Sequence, residues 1–222
     1  GLVIYKFGSA GILLGSNSNT ISNNVFGSDY RLTTGNLGNK DGIYINNKAS
    51  NIIQSNIITG NVQSGVAILG ASAQSNLVRD NTIVGNATNL NVSGSGNKIF
   101  NNIIKKGASQ QNASFTGGAN TLNETKTAGT NIVHGPYIGG NYWSDYVGPD
   151  ADGDKLGDTP HPFNANNVDN LPLIGAPDLT VQPFTLNPAN IIYSGNRYIL
   201  PLDVTVSNVG LGTAANVVVR FT

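Results

Sequence analysis

One template recurs along the chain: an Asn, any residue, an aliphatic, two further residues, a second Asn and then apolar positions. It reads NTISNNVF from Asn19, NIIQSNII from Asn51, NLVRDNTI from Asn76 and NKIFNNII from Asn97, with a degraded copy, NTLNETKT, from Asn120. The second polar position falls on Asn24, Asn56, Asn81 and Asn102, and on Thr125 in the last copy, so the steps are 32, 25, 21 and 23 residues. The long first step carries an insertion, SDYRLTTGNLGNKD, over residues 28–41. A shorter signal precedes each template: GILL at Gly11, GIYI at Gly42, GVAI at Gly65 and a weaker LNVS at Leu90. Short apolar strands broken by Gly, Asn and Ser cannot close a core within one repeat. Stacked coils can, because each strand pairs with its equivalent in the next coil about 4.8 Å away. An antiparallel sandwich with Asn in its turns calls for two-residue hairpins between alternating strands, and the spacing fits that less well. The expectation is an all-β parallel β-helix. Asn24, Asn56, Asn81 and Asn102 then form a structural ladder inside one bend, where Asn tolerates the left-handed backbone.

Composition narrows the function. Twelve basic residues balance twelve acidic ones, and only 11% of residues are charged. No basic stripe exists to neutralise phosphates, so nucleic acid is not an expected partner. No apolar run approaches a membrane span. There is no Cys and no Met. The chain therefore offers no thiolate or thioether ligand, and it reads as a processed product or an internal fragment. Four sequons, at Asn86, Asn91, Asn112 and Asn123, are candidate glycosylation sites and lean mildly towards an exported protein.

The segment GGNYWSDYVGPDADGDKLGDTP, residues 139–160, holds Asp145, Asp150, Asp152, Asp154 and Asp158. Carboxylates this close repel unless a cation sits among them. Asp150, Asp152, Asp154 and Asp158 occupy loop positions one, three, five and nine, and the Leu156 carbonyl can serve at position seven. Hard oxygen ligands in a flexible ring suit Ca²⁺ as a structural cofactor. The match to an EF-hand is incomplete, with Lys155 at position six and His161 at position twelve. The pattern is closer to the D-x-D-G-D calcium loops of thrombospondin-type repeats. A sharp turn at Lys155 would cost about 1 kcal/mol of backbone strain. Asp145 or Asp169 completes the shell, and spacing does not choose between them; the alternative is a solvated acidic turn. The neighbouring Tyr137, Tyr142, Trp143 and Tyr146 read as a plug for the open end of the coils, in preference to a sugar-stacking surface.

The repeats, together with NIVHGPYIGGNYWSDY and DADGDKLGDTP, resemble the archaeal and bacterial cell-surface β-helix proteins of the pectate-lyase-like superfamily. These are identified through a carbohydrate-binding and sugar-hydrolase repeat, or through similarity to the periplasmic copper-accessory β-helix protein of nitrous oxide reductase. The resemblance covers roughly residues 1–175 and implies a right-handed parallel β-helix on an exported protein. It does not decide activity, because this fold hosts lyases, hydrolases, adhesins and inert scaffolds.

After residue 176 the texture changes to strict alternation. Leu200, Leu202, Val204 and Val206 share one face, Val217, Val219 and Phe221 repeat the pattern, and Asn208 to Thr213 supplies a turn. This looks like the start of an immunoglobulin-like adhesion-type module, too short to close a sandwich of about seven strands. Either the chain continues beyond Thr222 or a neighbour adds strands. The expected organisation is β-helix repeats over 1–137, a cap with the calcium loop over 138–176, and a partial immunoglobulin-like β-sandwich over 177–222. The expected function is that of a non-enzymatic extracellular structural protein, a subunit of a cell-surface layer, sheath or filament that polymerises by head-to-tail contact or strand addition. The alternative is a carbohydrate-binding adhesin module that takes cell-surface glycans, and after it a polysaccharide lyase or hydrolase relative. Catalysis is disfavoured by scattered single carboxylates, since a glycosidase needs two across a cleft. Copper is disfavoured by a chain with two His and no Met.

Overall fold

The computed structural model describes residues 1–32, 35–175, 179–181, 192–195, 197–199, 204–208, 210–212, 214 and 217–218. The chain divides into two compact units, Gly1–Ile174 and Gly175–Thr222. Among the described residues every regular element is a β-strand.

The first unit winds into a parallel β-solenoid of about five turns. A short leading strand, β1 (Val3–Ile4), precedes the first coil of β2 (Ala10–Leu14), β3 (Thr20–Ser22) and β4 (Val25–Phe26). The second coil holds β5 (Asp41–Asn46), β6 (Ile52–Gln54) and β7 (Ile57–Thr59), and the third β8 (Ser64–Leu69), β9 (Leu77–Arg79) and β10 (Thr82–Val84). The fourth holds β11 (Thr88–Val92), β12 (Lys98–Phe100) and β13 (Ile103–Lys105). The fifth opens with β14 (Gln111–Phe115), leaves through a hairpin of β15 (Thr127–Ala128) and β16 (Tyr137–Ile138), and closes with β17 (Tyr142–Trp143). A second hairpin, β18 (His161–Asn164) with β19 (Asn167–Asp169), follows. Equivalent strands stack into three parallel sheets, ordered β14-β11-β8-β5-β2, β12-β9-β6-β3 and β1-β4-β7-β10-β13-β17.

Every second residue of a strand points inward, so register converts the template into columns. Ile53, Val78 and Ile99 are partners in one sheet, and Phe26, Ile58, Ile83, Ile104 and Trp143 in another. All are fully buried. Each such side chain stabilises the fold by roughly 1.5–3 kcal/mol relative to exposure. The Gly at the start of the GIYI signal has a packing reason. A Cβ on Gly42 would lie 2.6 Å from the Gly65 carbonyl oxygen and 2.7 Å from Ile58.

The bends are held by side-chain amides. Asn81 Oδ1 accepts the backbone N–H of Asn56 at 2.9 Å and its Nδ2 at 3.0 Å. Asn81 in turn donates from its backbone N–H and from Nδ2 to Asn102 Oδ1, both at 3.0 Å. The same pair of bonds joins Asn24 to Asn56 and Asn102 to Asn141. A second column runs through Asn19, Asn51, Asn76, Asn97, Asn120 and Asn167. A third joins Asn39, Asn61, Asn86 and Asn89. The rung after Asn102 is Asn141 and not Thr125, because the chain departs after the buried Leu122 and rejoins the coil only at β17.

The second unit contains β20 (Leu179–Val181), β21 (Ile192–Ser194), β22 (Arg197–Ile199) and β23 (Val206–Asn208). Two antiparallel pairs are described, β20 with β23 and β21 with β22. Leu200, Leu202, Thr213, Val219 and Phe221 lie outside the described residues.

Candidate functional site

The last coil ends in an aromatic plug. Phe163 on β18 packs against Phe115 and Trp143, with ring centroids 5.1 and 4.6 Å apart, and His161 lies 4.8 Å from Phe163 and 5.6 Å from Tyr146. Trp143 donates Nε1–H to Asp169 Oδ2 at 2.8 Å. Tyr142 is half-buried, and burial pushes its pKa up. Tyr137 stands apart on β16, with Lys126 Nζ 4.6 Å above its ring. Asp145 Oδ1 lies 3.4 Å from His161 Nε2 and accepts Asn112 Nδ2 at 2.6 Å. The His161 contact is the main cause that holds the Asp145 carboxyl at about 2, against the opposing effect of burial.

The acidic loop converges less than its spacing suggests. Asp150, Asp152 and Asp154 bring one oxygen each within 4.8 Å of one another. Asp158 is not part of this group and accepts the backbone N–H of Ala151 at 2.6 Å. Leu156 is buried and bridged to Leu173. Asp145 faces Asn112 and His161, and Asp169 is sealed in the coil, so neither completes a shell around the three. The loop meets ammonium groups of the protein itself: Lys126 pairs with Asp154, and Lys155 Nζ lies 3.7 Å from Asp150. Lys155 has φ 69°, the left-handed turn that Gly would hold more cheaply.

A concave feature crosses the outer face of the five-stranded sheet. Leu13, Tyr44, Ala67, Asn91 and Ser114 are register partners on successive strands. Their side chains point out because Ile43, Ile45, Val66, Ile68, Leu90 and Val92, on either side of them, are buried. A groove of about 300 Å³ lies over part of this row, at Leu13, Tyr44 and Asn91. Lys40, Asp41, Gln63, Ser64 and Asn91 supply its polar groups, Tyr44 its ring, and Leu13 and Leu69 its apolar walls. Asp41 is anchored, accepting the Ser64 backbone N–H at 3.1 Å. No linear motif marks this groove, since its residues come from four coils.

Two sequons are closed to glycosylation in the folded chain. Asn86 is fully buried in the third column, and Asn112 is buried between Asp145 and Ser144, so neither amide reaches solvent. Asn91 lines the groove, and Asn123 Oδ1 accepts the Asn170 backbone N–H at 3.2 Å.

Residues 3–148 match the family model described as periplasmic copper-binding protein (NosD). The chain belongs to the NosD family. It matches no curated protein and no solved structure. NosD membership agrees with the parallel β-solenoid and with a periplasmic or exported setting in broad terms. Among the described residues, no helix is long and apolar enough to cross a membrane. The family's description also corrects the expectation of Ca²⁺ as cofactor: NosD is described by copper, and the loop expected to hold calcium lies beyond the matched residues.

The chain has two His, no Cys and no Met. Among the described residues the one group of three His, Cys or acidic side chains placed to share an ion is wholly carboxylate. Copper favours imidazole and sulfur donors. The donor set does not fit.

Proposed function

We propose that the chain is a non-catalytic scaffold of the periplasm or cell surface that binds a glycan across the outer face of its five-stranded sheet. The groove carries this reading. Neutral sugars present hydroxyls that both donate and accept, and the groove sets amide, hydroxyl, carboxylate and ammonium groups around one tyrosine ring. A non-catalytic role is supported by its carboxylates: Asp41 is the single one lining the groove, and glycoside hydrolysis uses two. The two antiparallel pairs of the second unit support an immunoglobulin-like module following this scaffold in the chain.

The test is a glycan array followed by calorimetry on the best ligand. Tyr44→Ala should weaken binding roughly tenfold, the value of one lost stacking contact. Trp143 fluorescence checks that the coils remain folded. A wild-type chain that binds no glycan sinks the reading.

A layer, sheath or filament role is the second reading. Its support is apolar surface on the first coil, where Phe7 and Leu13 are more than half exposed. Polymers under the electron microscope would favour it, and monomers at every concentration would remove it.

A further inference from the structure

We infer that this NosD-family chain has no copper site of its own, so that its kinship with the family is one of fold and not of metal chemistry. The family match ends at residue 148, so ligands shared with the family must lie within residues 3–148. That stretch contains one His, His134, and neither Cys nor Met. His134 is exposed on a tight turn with φ 63°, and its backbone N–H is tied to the Asn131 carbonyl at 3.0 Å. No second His or sulfur exists in the stretch to join it. Soft sulfur ligands select Cu(I), imidazole suits copper generally, and Cu(II) takes a tetragonal set of nitrogen and oxygen, towards which one exposed His brings a single ligand.

The rest of the chain does not repair the deficit. His161 lies beyond the match, with its ring set among Trp143, Tyr146 and Phe163. Its Nε2 is shut away from solvent, 3.4 Å from Asp145. A metal there would find one nitrogen, one carboxylate and aromatic carbon. The carboxylates of Asp150, Asp152 and Asp154 also lie beyond the match, offer oxygen alone, and face Lys126 and Lys155. What residues 3–148 do hold in repeated form is the aliphatic columns and the asparagine ladders, whose amides bond to one another along the coils.

The experiment uses the full chain. It is loaded with Cu(II) in air and, separately, with Cu(I) under anaerobic reduction, then dialysed against a copper chelator. Retained metal is counted by mass spectrometry, Cu(II) is examined by electron paramagnetic resonance, and melting is followed with and without excess copper. The expected result is copper at the level of a protein-free control and an unmoved melting temperature. One equivalent retained in either oxidation state, with a raised melting temperature, overturns the inference. Retention that disappears in a His134→Gln, His161→Gln double variant overturns it equally and locates the site.

Discussion

The backbone N–H of Asn141 donates to Oδ2 of Asp169 at 2.7 Å, and this contact ends an asparagine ladder on a carboxylate. Each earlier rung needs both an acceptor for the coil before it and a donor for the coil after it. The last rung has no later coil to serve. An ionised Asp, which only accepts, suits that place better than Asn. Asp169 also takes the Trp143 indole N–H at 2.8 Å and the Leu171 backbone N–H at 3.1 Å. Its complete burial nevertheless dominates and pushes the carboxyl up to about 6, against the pull of these bonds.

That shift sets a pH dependence. The folded pKa of Asp169 lies above its unfolded value, so the fold holds a proton that the unfolded chain has lost between pH 3.8 and about 6. Its stabilising contribution is complete below that window and lost as pH rises through it, by about 3 kcal/mol in all. Asp145 has the opposite sign, with its pKa lowered to about 2, so its contribution is complete above pH 3.8 and lost as pH falls through about 2. Urea melts should therefore show higher stability near pH 4.5 than near pH 7, and Asp169→Asn should flatten the slope. An equal slope in the variant would assign it to another group.

Removing a middle rung should be costly. Asn81→Ala removes the acceptor of the buried Asn56 backbone N–H and takes one donor each from the Ile53 and Arg79 carbonyls, at 2.9 and 2.8 Å, while Asn56 Nδ2 keeps the Ile21 and Gln54 carbonyls. A buried unsatisfied group costs about 1–3 kcal/mol. Asn19→Ala, at an exposed end of the second column, should cost less. Equal midpoints for the two variants would mean that the ladder carries no such load.

Periodicity made the solenoid legible, because each template puts one aliphatic residue inward between two amides. It exposed the column through Asn56 and Asn81, while the column through Asn51 and Asn76 stood at the start of the same template without being read as a ladder. The third column has no template: Asn86 bonds to Asn89 only three residues away. The excursion to Asn141 was also hidden, since nothing local tells a chain that has left the coil from one that has ended it. Loop spacing overstated convergence at the acidic segment because a side chain can turn away, as Asp158 does towards Ala151. No linear motif marks the groove at Tyr44, because its neighbours Lys40 and Gln63 come from bends before two different strands.

The acidic loop gives a third expectation. Lys126 pairs with Asp154, and the hydrogen bond to that carboxylate is the main cause of the raised Lys126 pKa. Lys126→Gln should return the like-charge repulsion to the loop and speed proteolysis within residues 150–158. Adding a chelator to the wild-type chain should leave the cleavage rate as it was. Faster cleavage in chelator alone would show that a bound metal, and not Lys126, holds the loop.

Trp143 closes the inward column behind Ile104, lies 4.6 Å from Phe163, and supplies Asp169 with one of its donors. Two losses can be separated by substitution. Trp143→Ala removes the ring and should cost about 3–5 kcal/mol, as large aromatic truncations in a packed core do. Trp143→Phe keeps much of the ring but deletes the Nε1–H, leaving the Asp169 carboxylate short of a donor. That bond pulls the Asp169 pKa down, so its loss raises the pKa further. The penalty of Trp143→Phe should therefore be small near pH 4.5, where Asp169 is protonated, and should grow by about 1–3 kcal/mol as pH rises past about 6. Circular dichroism in urea measures both, since the variant has no Trp to report. A penalty of the same size at both pH values would mean that Trp143 serves the coil by packing alone and gives Asp169 nothing.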